Sequence, residues 1–208
     1  MPHPRVCTEF FHSDVVFVGT VRSAQIDGKE DSIEGWFYRL DVVRVFRGRP
    51  ERQIEVYTEN ASARFPLELH HTYLLFANRS EGHLQIDCCG NSSEIAAAKQ
   101  SVNIIEEIVR NAKHASSGDI SGRVVDGWFG DTGVSGIRVT ASGRGRTFTA
   151  VSDAEGRFHM QVPRGQYRVW PEATDWYFRD FDIPYEDSGH VKVSRGGCSD
   201  LLFFANTK

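Results

Sequence analysis

"WFYRLDVVRVFRG", residues 36 to 48, settles the kind of chain this is. Trp36, Tyr38, Leu40, Val42 and Arg44 fall on one side of a period of two, and Phe37, Arg39, Asp41, Val43 and Val45 fall on the other. The first set is the more apolar for most of its length, which is the signature of a half-buried strand.

Runs of the same kind flank it. Upstream lies "DVVFVGTVRS" (14–23); downstream lie "RQIEVYT" (52–58), "HTYLLFA" (71–77) and "HLQID" (83–87), each rich in Val, Ile, Phe or Tyr and bounded by turn or charged residues. Five strands are therefore expected. Next, Asn91 with Glu94 three residues later reads as a capping box. Ile95, Ala98, Val102, Ile105 and Val109 then recur at helical spacing, predicting one amphipathic helix of about 20 residues. Lys113 and His114 supply cations suited to its C-terminus. The stretch "ASSGD" (115–119) reads as a linker, with the boundary near Ser117.

Beyond the linker the helical period disappears. Strand runs "DISGRVVD", "GIRVTAS", "RTFTAVS", "GRFHMQV", "GQYRVWP", "GHVKVS" and "DLLFFA" alternate with turn signals such as "DAEG", "PRG" and "SRGG". This spacing predicts a small, all-β sandwich. The expected domains are residues 1–116 and 117–208.

The 208 residues carry a formal net charge of −4, with neither half strongly acidic or basic, which argues against a general nucleic-acid binder. No apolar run reaches the ~18 residues of a membrane span, and the first ten residues hold no signal-peptide core.

The chemical motifs are few. His70, His71, His83, Cys88 and Cys89 fall close together, but zinc sites space their cysteines two to four residues apart, and adjacent residues at a strand end face opposite ways. No metal or cofactor is expected. "GVSGI" (133–137) is one residue short of a nucleophile elbow, and no HExxH, phosphate loop or G-x-G-x-x-G occurs, so no catalytic residues are assigned. "GRGR" (143–146) reads as a hairpin tip with solvated charges. Two aromatic loops are candidate ligand surfaces: Trp128 and Phe129 between glycines, and Trp176 and Tyr177 within the aromatic and acidic stretch 170–187. The alternative for the latter is that its aromatics enter the core.

Residues 5–113 resemble the netrin-like family of the tissue inhibitors of metalloproteinases. The resemblance rests on Cys7 before the first strand, "SDVVFVGTV" (13–21), "VVRVFRG" (42–48), "YLLFA" (73–77) and "CGNSSEI" (89–95). It implies a five-stranded OB-type barrel with one C-terminal helix. The second half resembles the carboxypeptidase regulatory-like domain through "ISGRVVD" (120–126), "GVSGIRVTASG" (133–143), "AVSDAEGRFHMQVPRGQYRV" (150–169) and "LLFFA". That resemblance implies a seven-stranded transthyretin-like sandwich with an accessory role.

Together they imply a mainly β, non-enzymatic, secreted or periplasmic bacterial protein whose signal peptide has been removed. It would bind or scaffold an extracellular protein or carbohydrate through two rigidly joined domains. The alternatives are a metalloprotease inhibitor using a wedge of Cys7, Thr8 and Glu9, and a hydrolase with an unrecognised site. The inhibitors, however, begin at a cysteine with a free amine, whereas Met1 to Val6 precede Cys7. The netrin-like pattern also pairs Cys7 with Cys89, which leaves Cys88 to pair with Cys198.

Overall fold

The computed structural model describes residues 5–29, 32–112, 114–127, 132–173, 176–180 and 189–207, with 176–180 and 207 as backbone only. Its chain divides into two compact units, Met1–Val109 and Arg110–Lys208.

In the first unit a short helix, α1 (Val6–His12), precedes β1 (Val15–Lys29), β2 (Ser32–Arg47), β3 (Gln53–Glu59), β4 (Thr72–Ser80), β5 (His83–Gln85) and β6 (Ser93–Glu94); α2 (Lys99–Ala112) follows, with its last three residues counted in the second unit. Strand β1 pairs antiparallel with β2 along one edge and with β4 along the other, from Val15↔Ala77 to Thr20↔Thr72. Strand β4 pairs with β5, β5 with β3, and β3 with β2. The pairings thus run β1-β2-β3-β5-β4 and return to β1. Register shifts along β1 at Val16/Phe17, Val18/Gly19 and Val21/Ser23 supply the bends such a path needs.

The run "VVFV" explains how two layers pack on these strands. Alternation sends Val15 and Phe17 into a core with Tyr38, Leu40, Val56 and Leu75. Val16 and Val18 go to the opposite face, against Phe10 of α1 and Ile105 and Ile108 of α2. A strand covered on both sides has no polar face to show, hence its unbroken apolar sequence.

Both helices differ from expectation. Cys7 lies inside α1 rather than merely preceding a strand, and α2 is 14 residues long and begins at Lys99. Residues 91–95 have stronger partners elsewhere. Asn91 donates its backbone N–H and its side-chain amide to Glu9, the Ser92 hydroxyl accepts from Phe76 N–H at 3.0 Å, and Ser93 and Glu94 pair with Leu74 and Tyr73. Ile108 is buried whereas Val109 is 36% exposed, so the apolar stripe is rotated from the one predicted. Lys113 lies outside the described residues.

The second unit contains β7 (Ser117–Asp126), β8 (Arg138–Gly143), β9 (Arg146–Val151), β10 (Arg157–Pro163), β11 (Gly165–Glu172), β12 (Trp176–Asp180), β13 (His190–Val193) and β14 (Cys198–Thr207). Two four-stranded sheets form, β10-β7-β14-β12 and β13-β11-β8-β9, with β7 and β14 parallel. Phe158, Met160 and Val162 alternate inward from β10 and meet Val139, Tyr167, Val169 and Val191 of the other sheet in one core. Eight strands are present among the described residues, against seven expected. The additional one is β12, in the aromatic and acidic stretch, and it pairs with β14 from Trp176↔Thr207 to Asp180↔Phe203. The turn expected at 153–156 forms: Asp153 accepts from Arg157 N–H at 2.7 Å and Glu155 N–H at 3.0 Å, with Gly156 at φ +75°.

Candidate binding cleft of the first unit

Strand β3 is paired with β2 along its full length, from Asp41↔Gln53 to Gly35↔Glu59, but with β5 only at Tyr57↔Gln85. Among the described residues its second edge is therefore open from Gln53 to Val56. Backbone direction along that edge follows from two bonds. Ile86 N–H donates to the Tyr57 carbonyl, so Tyr57 turns its backbone groups toward β5, whereas the Arg52 carbonyl accepts from Val42 N–H on the β2 side. Because direction alternates along a strand, Gln53 and Glu55 turn their N–H and C=O groups toward the open edge.

A cleft of about 550 Å³ lies along that edge, lined by Gln53, Glu55, Val56 and Tyr57 on one side and by Arg79, His83 and Leu84 on the other. Three rings crowd one end of it. The Phe37 and Tyr57 centroids are 4.8 Å apart, Phe37 and His83 5.0 Å, and Tyr57 and His83 5.6 Å. Phe37 and Tyr57 are direct cross-strand partners on the outward face, where such pairs stabilise a sheet.

Gly35 makes room for this cluster, since a Cβ there would sit 2.3 Å from the Tyr57 hydroxyl oxygen. Burial raises the Tyr57 pKa above its ordinary 10.0, and the nearby Asp27 carboxylate raises it further. The hydroxyl accordingly stays protonated and remains a donor at neutral pH.

The residues singled out from the sequence lie elsewhere. Thr8 and Glu9 are 0% and 3% exposed inside α1, and Cys7 is half-buried and disulfide-bonded, so no surface wedge exists at 7–9. The disulfide-bonded cysteines are Cys7 and Cys198, whereas Cys88 and Cys89 are free and exposed. This corrects the expected Cys7–Cys89 and Cys88–Cys198 bonds. The physical reason lies in the loop: Cys88 N–H donates to the Ala63 carbonyl at 2.9 Å and Cys89 N–H to Asp87 at 2.8 Å, which holds the backbone with both thiols outward. Partial desolvation by the loop, then the Asp87 carboxylate and the Cys88 neighbour, push the exposed Cys89 thiol above its ordinary 9.0, which disfavours a nucleophilic thiolate.

The histidines do not converge with these thiols. His71 meets Glu94 at 3.1 Å and His83 packs on the rings, and among the described residues no group of three or more His, Cys, Asp or Glu could hold a metal. Trp128 and Phe129 lie outside the described residues. Trp176 and Tyr177 are described only as backbone of β12.

The clustering of Phe37, Tyr57 and His83 is not legible in the sequence, where His83 stands only beside the cysteines as a metal-ligand candidate. One signal for them was present, because Phe37 is an aromatic residue on the polar side of the alternation in β2.

These features define a mainly β protein of two units, the first carrying an open strand edge beside an aromatic cluster. No family model and no curated protein matches the chain. Among solved structures it is similar to the Bacillus anthracis TIE protein at 10% identity and a TM-score of 0.35, covering 93% of this chain and 41% of that one. It is also similar to BcpA, the major pilin subunit of Bacillus cereus, at 12% identity and a TM-score of 0.31, covering 93% and 59%. A third similarity is to GBS52, the minor pilin of the Gram-positive pathogen Streptococcus agalactiae, at 10% identity and a TM-score of 0.32, covering 94% and 84%. The chain thus spans less than two thirds of the first two proteins. Likeness at this level carries no argument about function.

Proposed function

We propose that the protein is a non-enzymatic binding and scaffolding protein of the cell exterior whose first unit accepts an extended segment of a partner protein along β3. The open edge of Gln53–Val56 carries this reading, because unpaired strand backbone beside a cleft is a template for strand addition. The partner's main chain would bond to Gln53 and Glu55, and its side chains would rest on Phe37, Tyr57 and His83. The disulfide-bonded state of Cys7 and of Cys198 supports an oxidising location. The circuit of pairings from β1 back to β1 supports an OB-type, netrin-like first domain over 1–116. The two facing sheets support a regulatory-like sandwich over 117–208.

Selection of displayed peptides on the full chain tests this. Selected peptides should lose about tenfold or more in affinity, roughly 1.4 kcal/mol, for Glu55→Pro. That substitution removes an open-edge donor without touching the β2 ladder. Glu55→Ala should leave affinity within about twofold, and Phe37→Ala should weaken it by an amount typical of a lost ring contact, ~1 kcal/mol. The proposal fails if selected peptides are indifferent to Glu55→Pro. It fails equally if ring-dependent binding is found only on a glycan array.

A further inference from the structure

Four cations line one cleft of about 600 Å³ in the second unit: Arg144, Arg164, Lys192 and Arg195. They come from separate parts of the chain. Arg144 is at the β8–β9 hairpin tip, Arg164 is in the β10–β11 turn, Lys192 is on β13, and Arg195 is in the turn that follows. The sheet order β13-β11-β8-β9 brings these pieces to one place. All four are exposed, and no carboxylate of the described residues lines the cleft.

Among the described residues, none of the four forms an ion pair, whereas Arg22, Arg44 and Arg157 are matched with Asp41, Glu106 and Asp153. The chain as a whole is acidic, at −4. A local cluster of like charge facing one space therefore runs against the background and raises the potential there. A lysine on an edge strand commonly guards against strand pairing, which accounts for Lys192 alone. It does not account for three arginines on turns.

Arg144 adds a separate observation. Its φ is +53° beside Gly145 at +71°, closing a two-residue hairpin between Gly143 and Arg146 in the I′ form. Asn, Asp or Gly is favoured at that position, and a long side chain there is strained. The strained residue extends its side chain over Gly165, where a Cβ would lie 3.2 Å from Arg144 Cδ, and donates from Nη1 to the Arg164 carbonyl at 3.3 Å. The backbone conformation thus holds one arginine beside another.

We propose that this cleft binds a polyanion presenting two or more closely spaced phosphate or sulfate groups. Guanidinium forks match tetrahedral oxyanions bidentately, and the lysine adds a mobile point charge. Among the described residues the lining contains no aromatic ring on which bases could stack, so the cleft reads the spacing of charges, which disfavours single-stranded nucleic acid.

Calorimetric titration of the full chain with inorganic tripolyphosphate and with sucrose octasulfate tests the proposal. At least one should bind, more weakly as salt rises from about 50 to about 200 mM. The tighter ligand identifies the source as a phosphate polymer or a sulfated glycan. Affinity should fall about tenfold or more in Arg144→Asn and in the double variant Arg164→Gln/Arg195→Gln. Because Asn suits the I′ turn better, Arg144→Asn should also raise the melting temperature, which separates lost binding from lost folding. Absence of binding by both probes overturns the proposal, as does unchanged affinity in both variants. Tighter binding of a charge-matched single-stranded oligonucleotide also overturns it.

Discussion

Gly90 has no room for a side chain. A Cβ there would lie 2.0 Å from Glu9 Oε1, and Glu9 is 3% exposed with its carboxylate accepting from Asn91 N–H at 2.7 Å and from the Asn91 side-chain amide. A buried, bonded carboxylate cannot swing aside without leaving its donors unmet. Gly90→Ala should therefore cost about 2–3 kcal/mol, read as a lower denaturant midpoint at unchanged slope. Thr58 offers the opposite case. Its hydroxyl is buried at 0% exposure in β3 with no partner among the described residues. Thr58→Val keeps the shape and removes an unsatisfied polar atom, so it should raise stability by about 1 kcal/mol in the same experiment. Neither site could be recognised from the chain alone, because both depend on what lies opposite.

The elements vary in how far they were legible. Strand β2 was clear because its alternation is strong, and β1 was clear because an apolar run bounded by turn residues has few other uses. The start of α2 was misread: the capping box at Asn91 and Glu94 is a local preference, and Glu9, Phe76 and Leu74 offered competing partners. The 153–156 turn was readable because its chemistry is local. Its main contributor is the Arg157 N–H, helped by the Arg157 side chain, and together they hold the Asp153 carboxyl below its ordinary 3.8. A depressed carboxylate stabilises the folded form above the unfolded value and loses that contribution as pH falls through the folded one. Destabilisation of this turn should thus set in as pH falls toward about 3.8 and continue to grow below it. An NMR titration placing the Asp153 midpoint at or above 3.8 would contradict it.

For the whole molecule the cysteines give a direct check. A thiol reagent applied to the folded, unreduced protein should label Cys88 and Cys89 only, and reduction under denaturing conditions should expose Cys7 and Cys198. Cys89 should react more slowly than an ordinary thiol near neutral pH, since partial desolvation and Asp87 raise its pKa. Peptide mapping that found Cys88 or Cys89 in a disulfide would contradict the assignment. The sequence by itself determined the mainly β class, most of the strands and the principal turns, because alternation and turn chemistry act between near neighbours. Only the tertiary structure decided that β3 keeps an open edge beside Phe37, Tyr57 and His83, and that α1 buries Thr8 and Glu9. It also decided that the hairpin tip at Arg144 meets Arg164, Lys192 and Arg195. Those outcomes rest on register between strands far apart in the chain, and a local pattern carries no record of which distant residue will stand across from it.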